Sequence, residues 1–208
     1  MDARRLDFLS RLVFFLAMVG LAGSAQAQML VPGSNLLNGL RQGGYVLVIR
    51  HANSPAQPPA KGAADPENVK LERQLDQAGR ADAQKLGGAL KALRIPVGAV
   101  FSSPTYRALQ TVKLAGFGPP RIFADLDENA AGMAANVESA HVAWLKSKIA
   151  ETPRAGTNTI IVTHAPNIKD AFDVDAAAGE AVVFKPDGKG GAQPVARIKV
   201  NEWPAPNK

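Results

Sequence analysis

The sequence predicts an α/β protein built as a three-layer α/β/α sandwich, with a mostly parallel central sheet and an antiparallel hairpin at the sheet edge near the C-terminus. Short apolar runs rich in β-branched residues alternate with segments whose apolar residues recur at helical spacing. This alternation is typical of parallel sheets covered by helices on both faces. Two strand-like runs then follow each other across a glycine-rich turn. A length of 208 residues suits one domain.

The first half of the pattern contains two helices, one strand and one loop. Leucine spacing predicts a short helix from Asn35 to Arg41, which two glycines end. Tyr45 to Ile49 is a continuous apolar run, as expected for a buried strand. Ser54 to Lys70 is rich in proline, alanine and polar residues, which predicts an exposed loop. Apolar residues recur at helical intervals from Leu75 to Leu93, so we expect a covering helix there.

The second half repeats the alternation. Val97 to Phe101 predicts a strand, and Ser102 to Ala115 predicts a helix that begins with a proline near its first turn. Arg121 to Ala124 is a candidate short strand, and Val137 to Ile149 is an amphipathic helix. Thr159 to Val162 is another apolar strand.

The tail has a different character. Strand-like runs from Glu180 to Lys185 and from Val195 to Val200 flank the turn Pro186 to Gly191. Because such a turn joins antiparallel neighbours, these runs predict the edge hairpin.

The N-terminal segment resembles a secretory signal peptide. Three arginines precede an apolar run from Leu12 to Leu21, and the A-x-A site Ala25-Gln26-Ala27 follows. An uncleaved membrane anchor is the alternative, but the run is shorter than the roughly 20 apolar residues that span a bilayer. We therefore predict that residues 1–27 are a signal peptide, that residues 28–208 form the folded domain, and that this domain is periplasmic without stable membrane insertion.

Composition narrows the classes of partner. The chain has no cysteine, which excludes disulfides, a thiolate nucleophile and cysteine metal sites. Its net charge of +6 suits anionic substrates or surfaces. The basic residues are scattered and aromatic residues are few, so the sequence does not indicate nucleic-acid binding. It leaves the oligomeric state open.

Charged and histidine side chains follow the predicted buried strands. Arg50 and His51 end the first strand, His164 ends the last parallel strand, and Arg107 lies in the first turn of a predicted helix. In open α/β sheets, ligands bind beyond the carboxyl ends of the strands. Arginine forks match the oxygens of a phosphoryl group, and a helix N-terminus adds amide donors. The set therefore predicts a phosphate site.

At these positions the sequence resembles the histidine phosphatase superfamily, in its phosphoglycerate mutase-like branch 1, and looks like an exported bacterial member. The segments "VLVIRHANSP", "FSSPTYRALQTVKLA" and "IIVTHAPNI" match three family motifs in order. The resemblance implies that His51 is the nucleophile and that Arg50, Arg107, His164 and Asn53 bind phosphate, with His164 counted also among the catalytic residues. It implies no cofactor and no metal.

The sequence departs from the family at Ala52 and Ala165, where glycine is usual, but neither change removes a reacting group. In the mutase-like branch the general acid lies in an L-x-E-x-x-x-G segment, which matches residues 126–132 here. The resemblance therefore implies that Glu128 is the general acid. Asp127 is the neighbouring alternative, and good leaving groups need no dedicated acid.

The function these motifs imply is a metal-independent phosphatase. It would hydrolyse phosphomonoesters, or phosphohistidine-type substrates, through a phosphohistidine intermediate on His51. The alternatives are a phosphomutase and a non-catalytic phosphate-binding member of the family. The substrate would be a small phosphorylated molecule or a phosphorylated component of the cell envelope.

We predict that the exported protein begins at Gln28, because the A-x-A site ends at Ala27. Mass spectrometry of the periplasmic form measures its N-terminus directly. A product that retains Leu12 to Leu21 and sediments with membranes would contradict this prediction.

Overall fold

The computed structural model describes residues 33–128 and 135–205, with the side chains of residues 135–141 left aside. Five α-helices and six strands make up most of this part of the chain. The helices are α1 (Ser34–Gln42), α2 (Gln77–Ala92), α3 (Tyr106–Ala115), α4 (Ala135–Ala150) and α5 (Ala165–Phe172). The strands are β1 (Val46–Arg50), β2 (Val97–Ser102), β3 (Arg121–Ile122), β4 (Asn158–Thr163), β5 (Ala181–Pro186) and β6 (Ala192–Ile198).

The predicted signal peptide, residues 1–27, lies outside the described residues, and so do residues 129–132 of the predicted acid segment. Within residues 33–128 and 135–205, none of the helices combines the length and the apolar character that crossing a bilayer requires.

The strands form one sheet in the order β3-β2-β4-β1-β5-β6. Strands β1, β2, β3 and β4 run parallel, whereas β5 pairs antiparallel with both β1 and β6. Ile49 of β1 lies between Val162 of β4 and Ala181 of β5. The mostly parallel sheet and the antiparallel hairpin at its edge are thereby confirmed.

Helices cover both faces of this sheet. Alternate residues of β1 face opposite ways: Leu47 packs with the core under α1, α2 and α3, and Val48 packs with the core under α4 and α5. Both side chains are fully buried. The three-layer arrangement follows because a parallel sheet must bury apolar side chains on both faces.

Helix α2 packs closely against the segment that follows β1, where the sequence predicts the phosphate site. A Cβ at Gly79 would collide with the backbone of Asn53, and one at Gly87 would collide with the backbone of Ala115. Since only glycine lacks that atom, these two positions let α2 lie tightly against the segment after β1 and against α3.

Two elements differ from the sequence-based expectation. Helix α5 was not predicted, although Pro166 occupies its first turn, where proline is favoured. Strand β6 ends at Ile198 instead of Val200, and Val200 begins a 3₁₀ turn. Strand β6 also includes Pro194, which an edge strand tolerates because one side of the strand needs no partner.

Candidate active site

Three neighbouring parallel strands deliver the polar residues of the site. His51 follows β1, His164 follows β4 and Ser103 follows β2. The backbone remains paired beyond the strands, because the His51 amide donates to Thr163 O at 2.9 Å and the Ser103 amide donates to Val162 O at 2.9 Å. The two histidine rings therefore meet edge to face, with their centroids 5.1 Å apart. The structure brings the two predicted histidines together as expected from the sheet topology.

The His51 ring has one nitrogen free to react. Its Nδ1 lies 2.7 Å from the carbonyl oxygen of Ala52, and because a carbonyl only accepts, Nδ1 carries the proton. The lone pair of the neutral ring is then on Nε2, which accepts from Arg107 Nε at 3.2 Å. With its side chain buried and its ring bound on both sides, His51 presents an unprotonated nitrogen in a fixed position.

Arg107 joins the groups of the site. Its guanidinium is buried and contacts His51, Nδ1 of His164 at 3.2 Å, and the carboxylate of Glu128. Thr111, one turn later in α3, donates to the Arg107 carbonyl and accepts from the Ala52 amide. Helix α3 is thereby attached to the residues that follow β1, which sets the position of Arg107 relative to His51.

His164 is fully buried, and its tautomer follows from its partners. Arg107 can only donate, so Nδ1 of His164 accepts and the proton lies on Nε2. That nitrogen donates to the Ser103 hydroxyl at 2.8 Å, and the Thr105 hydroxyl lies at 3.4 Å. The second histidine therefore faces the site with its Nδ1 edge.

Both histidines are neutral at physiological pH. Burial lowers the pKa of His51 from 6.5 to about 4, helped by the positive charges of Arg107, Arg50 and Arg73 against the opposing hydrogen bond to Ala52. Burial also lowers the pKa of His164 to about 2, with smaller contributions from His51 and Arg107. A neutral imidazole is the form that attacks phosphorus, so this environment maintains the nucleophile.

Arg50 ends β1 and lies half-buried beside His51. Its Nη1 donates to the carbonyl oxygen of Ala176 at 2.9 Å. Its Nε is buried and has no hydrogen-bond partner among the residues that the structure describes. A buried guanidinium donor without a protein partner is suited to an anion such as phosphate.

The acid candidate Glu128 lies within the site. Its carboxylate contacts Arg107, lies 3.5 Å from Nη1 of Arg73, and lies 3.9 Å from Nδ1 of His164. Asp127 also acts on Arg107 through its negative charge, and its backbone carbonyl accepts from Asn167. Both carboxylates therefore remain candidates for moving a proton, and Glu128 makes the direct contact with Arg107.

Asn53 is placed differently from the other predicted phosphate ligands. Its side chain is exposed and its amide nitrogen donates to Asp76 at 2.6 Å. Asp76 is the N-cap of α2, where it accepts from the Gly79 amide. The Asn53 amide thus attaches the segment after β1 to α2, and phosphate binding by Asn53 stays a prediction.

Sequence reasoning missed three contributors to the site: Arg73, Ser103 and Thr105. Arg73 lies after the long loop and donates through Nε to Pro55 O at 2.7 Å and through Nη2 to Ser54 O at 3.4 Å, which leaves Nη1 facing Glu128. No periodicity marks such a residue. Ser103 and Thr105 flank the predicted helix-start proline, so their position beside a strand end was the available signal.

The two alanines that depart from the family pattern take ordinary backbone conformations. The positive-φ residues other than glycine, within the described ranges, are Leu71, Arg94 and Asp173. Ala52 and Ala165 therefore impose no left-handed strain where glycine is usual. We expect these substitutions to alter the space beside the ligand more than the backbone path.

In the parts of the chain covered by the structure, no three or more histidine or carboxylate side chains are grouped in a way that could hold a metal ion. Metal independence itself stays a prediction for experiment.

With this geometry established, comparisons with known proteins identify the family. The chain belongs to the histidine phosphatase superfamily (branch 1), whose family profile matches residues 46–160. A comparison with curated protein sequences found no match.

Solved structures share the fold at low sequence identity. The protein histidine phosphatase SixA complexed with tungstate is 16% identical over 76% of this chain and 97% of that chain, with a TM-score of 0.52. A phosphoserine phosphatase from Entamoeba histolytica, in complex with 3-phosphoglyceric acid, is 14% identical over 77% of this chain and 99% of that chain, with a TM-score of 0.53. These likenesses establish a shared fold.

The two buried histidines predict a loss of stability in acid. Their folded-state pKa values, about 4 and about 2, lie below the unfolded value of 6.5. Below about pH 6.5 the unfolded chain therefore binds more protons than the folded chain, and the free energy of unfolding decreases as the pH is lowered. At pH 5 we expect a loss of about 2 kcal/mol for each histidine relative to pH 7, measured by urea unfolding.

The control is His51→Gln, which keeps a polar side chain but cannot titrate. This variant should lose about 2 kcal/mol less than the wild type between pH 7 and pH 5. Identical pH dependence in the two proteins would contradict a depressed pKa at His51.

Proposed function

We propose that this protein is a phosphatase that hydrolyses phosphomonoesters through a phosphohistidine on Nε2 of His51. The observation that carries the proposal is the state of this nitrogen. The hydrogen bond from Nδ1 to Ala52 O places the proton on Nδ1 and the lone pair on Nε2. Nε2 lies 3.2 Å from a guanidinium nitrogen of Arg107. A nucleophile beside a phosphate-binding group is the arrangement that phosphoryl transfer requires.

In the first half-reaction, Nε2 of His51 attacks phosphorus and forms the N–P bond while the ester P–O bond breaks. The imidazole becomes positively charged, and the Ala52 carbonyl stabilises that charge through Nδ1–H. Arg50, Arg107 and His164 bind the phosphoryl oxygens, where negative charge is spread in the transition state. The leaving oxygen takes the bonding electron pair and needs a proton.

Glu128 supplies that proton when the leaving group is poor. In the free protein its carboxylate is bound to Arg107. A bound phosphate dianion would compete with Glu128 for the same guanidinium.

In the second half-reaction, a water molecule attacks phosphorus, the N–P bond breaks, and inorganic phosphate leaves. The carboxylate of Glu128 accepts the proton of this water, which replaces the proton that Glu128 gave to the leaving oxygen. The electron pair of the N–P bond returns to His51 as the lone pair of a neutral ring. Asp127 is the alternative residue for both proton transfers.

The likeness to SixA favours phosphohistidine-type substrates as one class, and the positive net charge is compatible with any phosphorylated molecule. Back-transfer to a second hydroxyl would make the protein a mutase, and loss of turnover would leave a phosphate-binding protein. We further propose that the substrate is met in the periplasm, on the basis of the N-terminal pattern in residues 1–27.

Replacement of the nucleophile should separate binding from turnover. His51→Ala should lower kcat by at least about 10³-fold, because the variant lacks the nitrogen that forms the covalent intermediate. Binding of inorganic phosphate, measured by calorimetry, should survive because Arg50, Arg107 and His164 remain. Arg107→Ala should reduce both activity and binding.

The intermediate itself is accessible to acid quenching. Labelled substrate should leave label on the wild type that is labile in acid and stable in base, and His51→Ala should carry none. Activity should persist in excess chelator, since the arginines supply the positive charge. Undiminished turnover by His51→Ala, or activity lost to chelator and restored by a divalent metal, would overturn the mechanism.

The acid role of Glu128 predicts a dependence on the leaving group. Glu128→Gln should slow alkyl phosphates by about 10²-fold or more and aryl phosphates much less, because aryl oxides leave without protonation. The comparison uses kcat/KM over both series, with Asp127→Asn as the matched variant. Equal losses on both series would exclude a proton-transfer role for Glu128. Leaving-group dependence in Asp127→Asn alone would assign the role to Asp127.

A further inference from the structure

An ion pair at the antiparallel edge of the sheet has no role in the steps above. Glu180, just before β5, is buried, and Arg197 of β6 forms a bidentate ion pair with its carboxylate. Nε of Arg197 lies 2.6 Å from Oε1 of Glu180, and Nη2 lies 3.1 Å from Oε2. A bidentate arginine on a buried carboxylate has a defined geometry and resists rotation.

The same pair holds the segment from Asp175 to Glu180. Nη2 of Arg197 also donates to the Asp175 carbonyl at 2.7 Å. Oε2 of Glu180 accepts from the Ala177 amide at 2.7 Å, and the Glu180 amide donates to the Ala177 carbonyl at 3.0 Å. Both ends of the segment and its centre are therefore bound to one guanidinium–carboxylate pair.

This segment is in turn the support of Arg50. The Ala176 carbonyl accepts from Nη1 of Arg50 at 2.9 Å. The Gly179 amide lies 3.1 Å from the Arg50 carbonyl and 3.3 Å from the His51 carbonyl. The Arg50 amide donates to the Glu180 carbonyl at 3.1 Å. Backbone and side chain of Arg50 are thus both oriented by the segment that the ion pair holds.

We propose that Arg197 and Glu180 are positioning residues that aim the Arg50 guanidinium at the phosphoryl group. The Ala176 carbonyl occupies one Nη1 proton, which orients the plane of the guanidinium and leaves the buried Nε for an anion. If Arg197 is lost, the Asp175 carbonyl and the Glu180 carboxylate lose their guanidinium partner, and the segment that carries Ala176 is held by fewer bonds. This inference rests on the proposed role of Arg50 in phosphate binding.

The test is a double-mutant cycle between Arg197 and Arg50. Arg197→Gln should weaken the binding of inorganic phosphate about tenfold and lower kcat/KM for an aryl phosphate by a similar factor. In the Arg50→Ala background, the same Arg197→Gln change should alter both quantities less than about twofold, because the residue through which it acts is absent. Arg197→Lys should give an intermediate loss, since one ammonium cannot bridge both carboxylate oxygens and the Asp175 carbonyl.

The matched control is Lys199→Gln. It removes a cation that lies two residues after Arg197 and pairs with Glu202 instead of Glu180. It should leave phosphate binding within about twofold of the wild type. A merely structural ion pair would give the same fold loss for Arg197→Gln with and without Arg50, and that result would overturn the proposal.

A further variant covers the case in which Arg197→Gln fails to fold, since it leaves a buried carboxylate unpaired. Glu180→Gln combined with Arg197→Met removes the whole pair, and it enters the same cycle with Arg50→Ala. Phosphate binding is read by calorimetry, so the cycle does not depend on turnover. Absent turnover by the wild type would refute the phosphatase, whereas additive effects on phosphate binding would refute the positioning role alone.

Discussion

The buried guanidinium of Arg107 is the group on which the site depends. It contacts His51, His164 and Glu128, which come from three separate parts of the chain. Removing a cation from water costs several kcal/mol, and the contacts to these groups offset that cost only while all are in place. A change at Arg107 would therefore alter the nucleophile, the second histidine and the acid candidate together.

The sheet makes this assembly possible. Parallel strands β1, β4 and β2 end at one edge, and the residues that follow them meet there without a long loop between them. Helices α3 and α5 begin at the same edge, at Tyr106 and Ala165. Their N-terminal amides add positive potential, which favours an anion at this edge over any other part of the sheet.

Burial has a second consequence at this edge. It keeps His51 and His164 neutral while three arginines surround them, because desolvation and like charge both disfavour protonation. The site thus combines a neutral imidazole at His51 with a cationic surface suited to an anion. The segment before the antiparallel hairpin also contributes to this cationic surface, because it supports Arg50.

Much of this architecture could be predicted from local patterns. The apolar runs at β1 and β4 predicted buried strands, because a parallel sheet covered on both faces needs apolar side chains on both. The turn before β6 predicted a hairpin. His51 and His164 were found because their signal is local: a polar residue directly after a buried strand.

Other features depended on distant parts of the chain. The contact of Arg73 with Glu128 joins residues 55 positions apart in sequence, and the support of Arg50 by Ala176 spans 126 positions. Helix α5 was missed because its buried residues, Ile168 and Ala171, give a weaker apolar pattern than the leucines of residues 35–41. Periodicity reports how a segment faces its own core, whereas the contact of Arg50 with Ala176 arises only when β5 and β6 pair beside β1 and bring the segment Asp175 to Glu180 against the site.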